Sequence, residues 1–111
     1  MLTIVASGVQ VATIGVEHTL TTLTGPGTFT LHVDTSEMAV GTTSDVLQVT
    51  IWENVVSGGA ERVAYRATFA GSQDNPIKIS IPVPVPYTGR VTLRQTAGTA
   101  RSYPWVVTTP D

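Results

Sequence analysis

A chain of 111 residues with eight acidic and six basic side chains carries a formal net charge of −2, so it offers no basic field to nucleic acid or to an anionic membrane. It has no cysteine, which removes disulfides, thiolate metal sites and thiol redox chemistry. Nineteen threonines and sixteen valines, stiff at χ1, favour strands over helices.

Residues 1–111 are expected to form one domain around a single core. No stretch approaches the ~20 apolar residues of a membrane-spanning helix. Met1 to Ala6 has neither the charged start nor the long apolar run of a signal peptide, so synthesis in the cytoplasm is the expectation.

In chain order, residues 3–13 are apolar with mixed phase, and Gly8 marks a bend or bulge. A Thr-rich strand over 16–23 ends at the Gly25-Pro26-Gly27 turn; no helix follows, so this is not a phosphate loop. Residues 28–34 alternate cleanly, with Phe29, Leu31 and Val33 inward and Thr30 and His32 outward. Asp34 with Glu37 three residues on predicts one helical turn that carries Met38 inward, and Gly41 to Asp45 returns the chain to a long hairpin. A loop at 71–76 precedes a period-two face of Ile77, Ile79, Ile81 and Val83. Pro82, Pro84 and Pro86 interrupt it, which places that strand at an edge or running out of the sheet. Strands at 90–95, with Val91 and Leu93 inward, and at 102–108 complete the chain. Seven or eight short strands without a helix-length pattern predict an all-β, antiparallel β-sandwich of jelly-roll-like form. Residues 1–27 supply its edge strands or an extended contact arm.

The hairpin spans residues 46–56 and 61–69 around Ser57 to Ala60. A two-residue turn at Gly58-Gly59 would set the apolar residues of its two strands on opposite faces. An odd loop or a bulge restores agreement, pairing Ile51 with Ala67, Val49 with Phe69 and Val55 with Val63, and a glycine then supplies the left-handed position of the bulge. In this register Tyr65 takes the core face and Trp52 lies over Arg66 on the outer face beside Gln48, Thr50 and Asn54. Trp and Arg dominate binding hot spots, so Trp52, Arg66, Gln48 and Asn54 form the candidate partner interface. The competing reading packs Trp52 under a loop of its own chain.

Other chemistry is thin. His32 and Asp34 share a strand side without a third ligand, and His18 lies near Glu17, so neither pair makes a metal site or a general base. Asp45 and Asp74 stand out as loop carboxylates, and Asp74-Asn75-Pro76 reads as a turn before it reads as a calcium site. The serines are scattered, with none in a nucleophile elbow. Arg90, Arg94 and Arg101 either meet a partner's carboxylates or cover a solvated sheet face. No enzyme, cofactor or metal is expected.

Three blocks carry a family resemblance. They are Val33 to Met38 with Gly41, Val56 to Gly59 with Arg62 and Tyr65, and Leu93 to Thr99 with Arg101, Pro104 and Trp105. Together they span roughly residues 28 to 107 and resemble small structural proteins of tailed bacteriophages, with Arg94 where lysine is common and Tyr103 where phenylalanine is common. The resemblance implies a virion component made in the bacterial host cytoplasm, and specifically a capsid decoration (cement) protein. Such a protein would bind the assembled major capsid protein as a homo-oligomer, a trimer by preference. A tail, neck or head-fibre component is the alternative. A carbohydrate-binding module is a further one, for which two or more aromatic rings on one exposed face would be the sign.

Overall fold

The computed structural model describes residues 2–38 and 44–110, in nine strands: β1 (Leu2–Val11), β2 (Glu17–Thr24), β3 (Gly27–Asp34), β4 (Val46–Glu53), β5 (Arg62–Ala70), β6 (Ile77–Ile79), β7 (Val83–Val85), β8 (Thr88–Ala97) and β9 (Ser102–Pro110). They form two antiparallel sheets. The first runs β1-β9-β3-β6, with β7 also pairing β3, and the second runs β2-β8-β4-β5. Because β6 and β7 pair with successive parts of β3, they act as one interrupted strand. Eight strands in this order, crossing between sheets at nearly every connection, make a jelly roll. β1 and β2 close the same side of the two sheets as edge strands, so residues 2–24 are built into the fold rather than left as an arm.

The core follows from the period-two pattern. Phe29, Leu31 and Val33 of β3, Leu47, Val49 and Ile51 of β4, Val91 and Leu93 of β8, and Tyr103 and Val107 of β9 are buried between the sheets. Leu23, Val83, Val85 and Met38 close its ends. Tyr65, Phe69 and Trp105 are partly buried against this cluster. Met38 goes inward as its sequence suggests, but on a turn instead of a helix. The Asp34 carboxylate accepts the Ser36 N–H at 2.8 Å and the Thr35 carbonyl accepts the Met38 N–H at 3.0 Å. A side chain that satisfies the backbone locally competes with helix formation. The return from Gly41 lies outside the described residues as far as Thr43.

Two registers differ from expectation. In the hairpin, Ile51 pairs with Tyr65 and Val49 with Ala67, while Trp52 pairs with Val63 across a bulge. The slip from the expected pairing is two residues along most of the ladder, so the faces are kept. Its cause is the connection: β4 stops at Glu53 and β5 begins at Arg62, a loop far longer than a tight turn. Gly58 does take a positive φ of 73°, but within this loop; the extra residue of the bulge is Ala64. Val55 lies outside the ladder and is exposed.

The second difference lies at residues 77–85. Ile77, Ile79 and Ile81 are exposed while Val83 and Val85 are buried. The strand breaks between its halves, where the Ser80 N–H donates to the Leu31 carbonyl and the Ser80 Oγ accepts the Leu31 N–H, both at 2.9 Å. The break moves the apolar phase from one face to the other. The proline-bearing strand does lie at a sheet edge.

Candidate contact surface

Strand β4 runs between β5 and β8, and alternation turns Gln48, Thr50 and Trp52 to the outer face of the second sheet. Trp52 is half-buried. Its cover comes from arginines on the two flanking strands. The Arg66 guanidinium lies 5.7 Å from the Trp52 ring centroid and that of Arg90 4.8 Å, both within cation–π range. Arg66 reaches the ring diagonally, since its ladder partner is Thr50, whose hydroxyl accepts the Arg66 Nε–H at 3.1 Å. Arg90 is the direct neighbour of Trp52 on β8 and forms an ion pair with Glu61 at 2.9 Å.

A second layer of polar contacts fixes the ring. Trp52 Nε1 donates to the Thr92 hydroxyl at 3.0 Å, and that hydroxyl donates in turn to Glu17 Oε2 at 2.6 Å. Thr50 and Thr92 face outward, yet each is only 1% exposed, because the longer side chains close over them. The result is a ring held at a fixed angle, flanked by two cations whose charge is only partly neutralised. Side chains fixed in this way lose little entropy on contact with a partner. Gln48 shares the face and is half-buried, paired with Thr68 and Arg94 on either side.

Asn54 does not belong to this face. It is buried, and its Oδ1 accepts from both the backbone N–H and the hydroxyl of Thr88 at 3.1 Å, while Nδ2 donates to the Gly59 carbonyl at 3.3 Å. It pins the 54–61 loop to the start of β8, in the manner of an asparagine that replaces a backbone partner. Arg90, Thr92 and Glu17 join the site instead. The outward phase of Arg90 and Thr92 was legible from alternation in β8; that β8 lies beside β4 was not.

The remaining candidates resolve into structural contacts. Asp45 is fully buried. Its carboxylate accepts the Thr99 N–H at 2.9 Å and pairs with the Arg101 Nε at 2.8 Å. Buried Gln95 donates to the Ala97 and Thr99 carbonyls and accepts from the Arg101 N–H and the Tyr103 hydroxyl. Burial, reinforced by the nearby Asp45 charge, pushes the Tyr103 phenol up to about 12. Gln95, Thr99, Arg101 and Tyr103 of the third sequence block therefore lock the β8–β9 hairpin onto the chain entering β4. Arg94 remains exposed, opposite Glu17 in the ladder.

His18 Nε2 accepts the Thr13 N–H at 3.2 Å, and His32 Nε2 lies 3.2 Å from the Thr108 hydroxyl. Among the described residues no three His, Asp or Glu side chains cluster in a way that could hold a metal ion. Trp52 is the one aromatic ring on the outer face of the second sheet among those residues; Tyr87 is exposed at the end of the sandwich, beside Gly25, Pro86 and Asn54.

Glu53 borders a cleft walled by Pro26, Pro84 and Pro86. Its Oε2 is buried without a hydrogen-bond partner, and desolvation raises its carboxyl above the usual value. No protein-family model, no curated protein and no solved structure matches this chain.

Proposed function

We propose that this chain is a structural subunit of a tailed-bacteriophage virion, acting as a capsid decoration protein that binds the assembled shell through the outer face of the β2-β8-β4-β5 sheet. The observation that carries the proposal is Trp52 held between Arg66 and Arg90 and oriented by Thr92. A fixed aromatic with flanking guanidiniums, on a sheet face otherwise made of Thr and Gln, has the composition of an interface hot spot. The three sequence blocks supply the class of partner, the major capsid protein or another virion protein.

The mechanism is thermodynamic. A subunit that binds the assembled shell and not its free components stabilises the shell by mass action. Arg66 and Arg90 would meet carboxylates or carbonyls of the shell, and the Trp52 ring would be buried against it.

Light scattering of the purified chain mixed with empty assembled capsids tests this. Saturation at a fixed ratio to capsid subunits, lost in a folded Trp52→Ala variant, is the expected result. A chain that ignores capsids but binds isolated tails or necks would move the proposal there. Saturable binding unaffected by Trp52→Ala would mean the contact lies elsewhere on the molecule.

A further inference from the structure

The first sheet has an outer face of a different kind. β1 enters with Leu2 and Ile4 in one phase and Val9 and Val11 in the other. The ladder with β9 shifts between Ile4 and Ala6, so the extra residue, Val5, turns both pairs to the same side. That side faces away from the core: Leu2, Ile4, Val9 and Val11 are each exposed by more than 60%. Small or polar residues (Thr3, Ala6, Gly8 and Gln10) take the inward phase. The usual pattern of an edge strand, apolar in and polar out, is inverted.

At the opposite edge, Ile77 and Ile79 face the same way and are exposed by 52% and 60%. Between these aliphatic ridges lie Pro104 and Val106 of β9 and Thr30 and His32 of β3. A groove of about 350 Å³ opens there, bordered by His32, Asp34, Ile77, Pro104 and Val106.

We propose that a second copy of this chain covers the outer face of the β1-β9-β3-β6 sheet, in a two-fold dimer. Three observations select that occupant. First, Leu2, Ile4, Val9, Val11, Ile77 and Ile79 are each more than half exposed, and their two ridges together present on the order of 600 Å², approaching the ~800 Å² that each partner contributes to a stable interface.

Second, the face carries little charge. Asp34 and His32 lie on its strands, and the exposed Glu37 carboxylate reaches its margin to accept the Ser102 N–H at 3.1 Å, so the aliphatic ridges of a second copy would meet little repulsion. Third, ridge and trough are present on the same surface. Under a two-fold axis the β1 ridge of one copy can lie in the trough of the other, which is the self-complementarity an isologous interface requires.

The ten residues of β1 contain neither a charge nor a proline, so nothing on the strand that carries four of the six exposed aliphatic side chains opposes close approach of a second copy. This assignment is independent of what the Trp52 face binds.

Sedimentation velocity of the full chain over a wide concentration range is the test. The expected result is a species of twice the 11.7 kDa chain mass. Val9→Lys and Ile79→Glu, both at exposed positions, should weaken dimerisation by at least about tenfold, while Trp52→Ala leaves it intact. A monomer at every concentration, a trimer, or a dimer indifferent to both substitutions would overturn the assignment. Hydroxyl-radical footprinting of the unsubstituted protein supplies a readout that needs no variant. Leu2, Ile4, Val9 and Ile79 should become protected as the dimer forms; unchanged reactivity would overturn the assignment as well.

Discussion

Trp52 has contacts of two kinds, and they set different costs for its removal. Two cation–π contacts at ~0.5–1 kcal/mol each, one hydrogen bond and a half-buried ring make Trp52→Ala cost about 2 kcal/mol of monomer stability. That is less than the ~3–5 kcal/mol of a fully buried aromatic, and chemical denaturation measures the difference. Glu53 is disfavoured in its ionised form, because its Oε2 is buried without a hydrogen-bond partner. Its folded-state pKa lies above the usual 4.5, so ionisation is harder in the fold than in the unfolded chain. The penalty is absent below pH 4.5 and grows as pH rises through the folded value. Glu53→Gln should therefore melt higher than the parent at pH 7, with the gap closing in acid; thermal denaturation at both pH values checks it. Residue exposure was partly legible in the sequence: alternation put Trp52, Arg66 and Gln48 outward correctly. It failed at Asn54, which lies one position beyond the end of β4, where the strand period no longer dictates direction.

At the scale of elements, the β8–β9 hairpin shows why a short sequence block can be fold-determining without being a site. Gly98 has φ +93°, and a Cβ there would stand 2.1 Å from the Asp45 Oδ1 and 2.6 Å from its Cα. Gly98→Ala must relieve both the backbone and the collision, at a cost of about 2 kcal/mol or more. Asp45→Ala leaves the Thr99 N–H and the Arg101 guanidinium without their partner, a loss of about 3 kcal/mol for a largely buried pair. Urea denaturation of the two single variants and of the double should show non-additive losses, since both act on one contact. None of this was readable locally, because Asp45 and Arg101 are far apart in sequence and nothing marks them as partners. The break at Ser80 was similarly hidden. It needs a serine hydroxyl opposite the Leu31 amide, and periodicity contains no term for that.

On the scale of the whole molecule, the class of fold was legible because β-branched content and period two recur in nearly every segment. The sheet order was not, because a jelly roll joins strands distant in sequence: β1 to β9, β2 to β8, β3 to β9. Loop-closure entropy must be met before such pairings contribute. Refolding should accordingly fall in the millisecond-to-second range of non-local β proteins rather than the microsecond range of helical bundles, as stopped-flow tryptophan fluorescence would show. Its two surfaces divide by chemistry as well: a cationic, ring-bearing face on one sheet and an aliphatic, nearly uncharged face on the other. The two proposed contacts would lie on opposite sheets, so neither would obstruct the other.

The pairing of β1 with β9 also matters while the chain is being made. Leu2 pairs with Pro110 and Val11 with Ser102, so β1 has to wait for a strand made about a hundred residues later. At about 5–20 residues per second, β1 waits roughly 5–20 seconds with its uncharged edge and its aliphatic side chains in water. Crowded polysomes would bring many such strands together, and the yield of folded protein should depend on how fast translation proceeds and on what shields that strand in the interval.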